Sequence, residues 1–291
     1  MRFSRFTVLF FLLILSCSSE QERSVHLQFL YEPGTSYIYD MSDDVKEEFT
    51  TWQGDTLHVQ NLQKQTITID ALKLQKNGVY EIATHMQVVS DTTIYPENFP
   101  ESNKWHQSNV GHKSTYRLKM CSEGRIYEVE GESEKATRFY EEAYKTNHPI
   151  FPGKDIGIGY KWNKNVYIDY DDETPVRVTT KFKLIGFETV NNYDCAVIWF
   201  HSALKRQMDF TDGSYNRRGY QKWIYNLETI SKGKIYFATE LGVLIRNERT
   251  MKFKSHSDII DNNGEVRREY SEKIDNEIIN LVNIKHLKDK K

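Results

Sequence analysis

The chain has 291 residues, enough for one large domain or two small ones with a real core, and it carries 38% hydrophobic residues with 18 Tyr, 15 Phe and 5 Trp, which excludes a disordered chain. Its formal charge is −2, and −4 (37 basic against 41 acidic) once Arg2 and Arg5 are removed with the first sixteen residues, which excludes the strongly basic face of a nucleic-acid binder.

Residues 1 to 17 have the layout of a secretory signal: Arg2 and Arg5, then an almost wholly apolar run from Phe6 to Leu15, then Ser16 before Cys17. The run is about ten residues, whereas a helix crossing a bilayer needs roughly twenty. Removal is therefore expected rather than a transmembrane span. The quartet Ile14-Leu15-Ser16-Cys17 resembles the lipobox of bacterial lipoproteins. That resemblance implies a signal peptide over 1–16, cut before Cys17, a diacylglycerol on the Cys17 thiol and palmitate-type acylation of the new amine. Several acyl chains anchor where one does not. The polar stretch 17–24, ending "SSEQERS", reads as a short lipidated tether. Ser18, where Asp would stand in an inner-membrane sorting signal, points to the outer membrane, with the periplasmic or surface face open.

From Val25 to Lys291 the pattern is that of a single β-rich domain. "GVYEIATHMQVV" sets Tyr80, Ile82, Met86 and Val88 on one side; "YRLKMC" sets Tyr116, Leu118 and Met120 opposite Arg117, Lys119 and Cys121; "VRVTTKFKL" sets Val176, Val178, Phe182 and Leu184 opposite Arg177, Lys181 and Lys183. This period of two predicts half-buried strands. Cys195 to Phe200, "CAVIWF", is apolar on both faces and predicts a strand covered from two sides. Turns are expected at Asn77-Gly78, Glu123-Gly124, Lys232-Gly233 and Asn263-Gly264.

One segment breaks the pattern. Ala136, Phe139, Tyr140, Ala143 and Tyr144 recur at spacings of three and four, predicting a helix over about 133–146, capped by Ser133 and stopped by the prolines of "NHPIFPG". Strand order before the helix (37–41, 65–74, 79–89, 115–129) is echoed after it (161–170, 176–187, 195–204, 234–253). Two pseudo-repeats, about 25–131 and 150–260, would then be joined by the helix. One curved antiparallel sheet wrapping the helix, or two half-barrel-like repeats side by side, would both satisfy this mainly β (α+β) pattern.

"GRIYEVEG" (Gly124 to Gly131), the helix, "FPGKDIGIGYKW" (Phe151 to Trp162), "FKLIGFETVNNYDCAVI" and "ELGVLIRNERTMKF" resemble a family of uncharacterised β-rich bacterial lipoproteins. The shared signature runs Gly-x-V/I-x-x-V-x-Gly, Phe-Pro, Val-Gly-x-x-Trp, a glycine hairpin and a late Gly-V/L strand pair. It covers about Thr115 to Phe253, and Tyr160 stands where the family more often has an acidic residue. The resemblance implies a β body exported on a lipid and no known activity. More distantly, the pattern looks like the open half-barrels of lipoprotein carriers, a likeness of fold only.

Sites of chemistry are sparse. "GKDIGIG" is neither Gly-x-Gly-x-x-Gly nor a Walker loop and reads as a loop entering a strand. Asp169 to Glu173 gather four carboxylates but lack the glycine and terminal glutamate of a calcium loop. The nine histidines show no zinc spacing, and no Gly-x-Ser-x-Gly elbow supports a triad. No metal, cofactor or catalytic residue is assigned. Cys121 and Cys195 would pair in an oxidising envelope or stay as two buried thiols. The long aromatic loops around Tyr95, Phe99 and Trp105, and around Tyr215, Arg217, Arg218, Tyr220 and Trp223, suit recognition of a ligand or partner, or cap the open ends of the sheet.

The sequence therefore predicts a non-enzymatic, lipid-anchored envelope protein binding an apolar or amphipathic molecule in a sheet concavity. An assembly partner in an outer-membrane complex is the alternative reading, and an envelope hydrolase the third.

Overall fold

A computed structural model describes residues 23–50, 54–97, 99, 104, 108–168, 175–211 and 220–286. Its strands in chain order are β1 (Ser24–His26), β2 (Thr35–Thr50), β3 (Thr56–Leu74), β4 (Val79–Ile94), β5 (Lys113–Cys121), β6 (Ile126–Gly131), β7 (Asp155–Gly157), β8 (Lys161–Ile168), β9 (Val176–Val190), β10 (Tyr193–Asp209), β11 (Lys222–Ala238), β12 (Val243–Ile260) and β13 (Val266–His286). One helix, α1 (Glu134–Asn147), stands between β6 and β7. Among the described residues no helix is long and apolar enough to cross a membrane.

Eleven strands form one curved, open antiparallel sheet in the order β6-β5-β4-β3-β2-β13-β12-β11-β10-β9-β8, while β1 and β7 pair as a separate ribbon. The order has a simple cause. Residues 35–131 run outward as a meander to β6, residues 161–286 run as a second meander inward from β8, and β13 pairs with β2 through fifteen residue pairs from Thr35–His286 to Phe49–Ser271. Each connection within a meander is a hairpin, so all neighbours are antiparallel. The β9–β10 turn is Asn191-Asn192, both at positive φ (51° and 66°), where asparagine tolerates the left-handed conformation.

The helix forms where expected, with a one-residue shift of its ends. Ser133 accepts from the Ala136 amide on its Oγ at 3.2 Å, and Thr137 Oγ1 accepts from the Gly131 amide at 2.8 Å. Its long strip of Tyr140 and Tyr144 faces the sheet: the Tyr140 ring stacks on Tyr116 of β5 at 4.2 Å. The helix packs along β6 and also touches β8. Both edges of the sheet thus meet it, and the concave face curls around it.

Two sequence expectations need correction. Lys232-Gly233 is no turn but lies inside β11, where Gly233 pairs with Arg249 of β12 and Phe200 of β10. Glycine is required because a Cβ would stand 1.9 Å from the Glu248 carbonyl oxygen and 2.8 Å from the Phe200 ring; the hairpin instead turns just beyond Ala238. The other correction is to strand length: β13, which no sequence pattern announced, is the longest strand at 21 residues and lies at the middle of the sheet.

The core fills one end of the concavity. Segment 27–31 crosses it, with Leu27 and Phe29 buried, and the Phe29 ring meets Tyr31 (5.8 Å), His148 (4.8 Å), Phe151 (5.0 Å) and Phe237 (5.3 Å). Cys195 to Ile198 are fully buried between β9 and β11, and Trp199 breaks the run at 37% exposure.

Candidate functional site

Beneath α1 the concave face encloses a cavity of about 270 Å³. Its walls are apolar side chains from six elements of the sheet, among them Ile67 and Ile69 of β3, Met86 of β4, Leu118 and Met120 of β5 and Ile279 of β13. Tyr144, His148 and Pro149 roof it. The alternation of each strand explains the lining: residues two apart share a face, so the inward phase of β3 and β5 delivers one apolar side chain per step.

The apolar wall ends at a polar row. Arg249 of β12, Glu277 of β13, Asp43 of β2 and Gln63 of β3 are direct cross-strand partners in sequence across the sheet. The first two line the cavity, as does Asn247, one step back on β12. Arg249 Nη2 donates to Glu277 Oε2 at 2.5 Å, with 10% and 7% of the two side chains exposed. Burial raises the Glu277 carboxyl despite Arg249 beside it. Burial also raises Asp43, to about 7, with the charges of Glu277 and Asp275 adding to the shift. Asp275, one step further along β13, is raised by burial too.

Buried polar atoms are ordinarily paired. Here Tyr39 OH, His148 Nε2, Asn247 Oδ1 and Arg249 Nε have no protein partner, and all four residues line the cavity. Burial pulls His148 down to about 3, aided by the Lys164 charge, so its ring is neutral. Burial pulls Lys164 itself down to about 7, while its Nζ donates to the Thr146 and His148 carbonyls at 2.9 and 2.6 Å and fastens the C-terminal end of α1 to β8. Burial likewise raises the hydroxyls of Tyr31, Tyr39, Tyr116 and Tyr144, so the lining presents neutral phenols, with Tyr116 and Tyr144 hydroxyls 3.1 Å apart.

The aromatic residues singled out in the sequence lie elsewhere. Tyr95 and Phe99 touch at 4.7 Å and close a small cluster with Phe49, Leu57 and Val59. Tyr220 meets Trp223 at 5.9 Å and Trp223 meets Phe210 at 5.1 Å, with the Trp223 Nε1 donating to Ser257 Oγ at 3.4 Å. Both groups stand at the β2–β3 and β10–β11 hairpin end of the strands. Phe49 of the first group pairs with Ser271, six residues and roughly 20 Å along β13 from Glu277 at the cavity. These residues therefore do not line it. Tyr95 borders a separate, more open depression with Lys46, Glu272 and Ile274. Trp105, Tyr215, Arg217, Arg218, Cys17 and Asp169 to Glu173 fall outside the described residues.

Cys121 and Cys195 are both free thiols and not a disulfide. They stand on β5 and β10, seven strands apart in the sheet order, and burial pushes Cys195 up to about 11. Among the described residues no group of His, Cys, Asp and Glu is arranged to hold a metal ion.

Sequence reasoning missed the polar row. Asp43, Glu277 and Arg249 sit in charge-rich stretches ("MSDDVKEE", "EKIDNEII", "IRNERTMK") that read as solvated faces. The available signal was phase: Asp43 and Glu277 lie an even number of residues from inward Tyr39 and Ile279, and Arg249 lies two residues from Asn247, the cross-strand partner of inward Ile235.

No protein-family model matches the sequence, and no curated protein matches it. Solved structures do align with it. Lipovitellin, described for its lipid–protein interactions, aligns over 88% of this chain at 8% identity and a TM-score of 0.45, the chain spanning 26% of lipovitellin's length. A protein of Bacteroides fragilis described as exported, with a YmcC-like fold, aligns over 89% of this chain and 99% of its own at 10% identity and a TM-score of 0.21. Both superpositions are loose, and the functional reading stands on the cavity.

Proposed function

We propose that this chain is a lipid-anchored protein of the bacterial cell envelope that binds, without chemical turnover, an apolar or amphipathic molecule in the concavity beneath α1. The observation that carries the reading is the cavity's composition. Its walls are apolar, and four of the residues that line it carry a buried polar atom with no protein partner. A guest with an apolar body removes wall surface from water at about 25 cal/mol per Å², and a polar end supplies the missing hydrogen bonds. A cavity of about 150 Å³ suffices for benzene, so 270 Å³ suits one short chain or ring, or one segment of a larger lipid whose remainder leaves the site.

The anchor part of the proposal rests on the "ILSC" quartet and the polar tether after it. Outer-membrane residence follows from Ser18 by resemblance to sorting signals.

Native mass spectrometry with lipid extraction, on the protein purified from bacterial envelopes, tests binding: a bound small molecule of defined mass is expected, and its consistent absence counts against the reading. For the anchor, Cys17→Ser should release the protein from membranes in a flotation gradient and remove the mass of the acyl groups. A variant that still floats at unchanged mass would end that part of the proposal.

A further inference from the structure

We infer that the molecule held in this cavity carries a cationic, amine-bearing polar end, received by the carboxylates of Asp43 and Glu277 beside Arg249. The inference rests on the cavity reading and names the chemical class of its ligand.

Three carboxylates share the polar end of the concave face. Glu277 lines the cavity, Asp43 is its direct partner across the β2–β13 ladder, and Asp275 stands one inward step further on β13. Directly opposed side chains have Cβ atoms about 5 Å apart, so a charge placed at Glu277 is also felt at Asp43. Two cations answer them. Arg249 of β12 is committed to Glu277 by the 2.5 Å hydrogen bond, and Lys273 of β13 directs its ammonium toward the Phe253 ring, 5.7 Å from its centroid. With every group ionised the set carries one negative charge in excess. Asp43 Oδ1 and Asp275 Oδ1 are buried with no protein partner.

Other candidate polar ends fit less well. A carboxylate or phosphate would find Arg249 Nε unpartnered, but would bring a further negative charge among three carboxylates. A neutral hydroxyl would pair with one oxygen and leave the excess charge in place. An ammonium supplies up to three N–H donors and the missing positive charge together. Asn247 Oδ1, which lines the cavity without a partner two residues from Arg249 on β12, is a further acceptor beside the row. Burial raises Asp43 to about 7, with Glu277 and Asp275 adding to the shift and Arg249 and Lys273 opposing it.

The test uses the full chain and a neutral fluorescent dye, N-phenyl-1-naphthylamine, displaced in turn by dodecylamine, dodecanol and dodecanoate. Dye binding reports the cavity itself. At pH 8 dodecylamine should displace it at a concentration about tenfold or more below the other two, since it alone answers a buried unpaired charge. Its advantage should shrink toward pH 5.5, as Asp43 takes a proton, and should be lost in Asp43→Asn while the dye still binds, which also shows that the variant is folded. Dye binding with equal or better displacement by dodecanoate or dodecanol overturns the inference and leaves the cavity reading standing. Failure of the dye and all three amphiphiles to bind removes both.

Discussion

Asp43 shows how a single position couples charge to folding. Its carboxyl titrates near 4 in the unfolded chain and is raised to about 7 by burial and by Glu277 and Asp275 in the fold. The folded state therefore binds more protons between these values, and the contribution of this group to stability is fully present below pH 4 and lost as pH rises through 7. Urea unfolding of Asp43→Asn should accordingly show a flatter stability profile between pH 4 and 7. The difference should be on the order of 1 kcal/mol, reduced from the full shift because the group remains partly wet. Gly233 is constrained by space instead of charge. A methyl group there meets the Glu248 carbonyl at 1.9 Å, which backbone cannot yield cheaply, so Gly233→Ala should cost about 3 kcal/mol or more, read as a lower urea midpoint.

The helix α1 is attached to the sheet at two places by different forces. At its middle the attachment is aromatic, Tyr140 on Tyr116 and Tyr144 beside it; at its C-terminus it is the buried Lys164 ammonium on two carbonyls. Lys164→Met keeps the apolar stem and removes those hydrogen bonds from carbonyls that β8 shields. We expect a loss of about 2 kcal/mol, with amide exchange rising first in α1 and in 148–151 rather than throughout the sheet. The helix itself was legible in sequence because capping and periodicity are local properties: Ser133 and the spacing of Ala136, Tyr140 and Tyr144 act within a few residues of one another. The same is true of the hairpin at Asn77-Gly78, where Gly78 takes a φ of +79°.

At the level of the whole sheet, binding and stability are separable. The cavity is bounded by side chains from β2 to β5 and β11 to β13, so filling it from one strand should block entry without opening the fold. Met86→Trp is expected to abolish dye binding while changing the melting temperature by no more than a few degrees, because Met86 is only partly buried and borders open space instead of packed core. A large fall in melting temperature would instead mean that the space is needed by the protein's own packing.

Much of this architecture was written in short-range pattern. The β-rich class, one helix between two runs of strands, and antiparallel pairing all follow from period-two alternation, turn residues and one amphipathic segment, each of which acts over fewer than about fifteen residues. Strand neighbours joined by hairpins were legible for the same reason. The β2–β13 pairing that fuses the two meanders was not, since it joins Thr35 to His286 and no local signal ranks one distant edge above another. Nor was the candidate site. Asp43, Arg249 and Glu277 are scattered over more than two hundred residues and become a row only when β12, β13 and β2 lie side by side in register. Polar side chains in strands look alike in sequence whether they face water or a cavity. Only the curvature of the open sheet, and the helix laid across it, decides which face is dry.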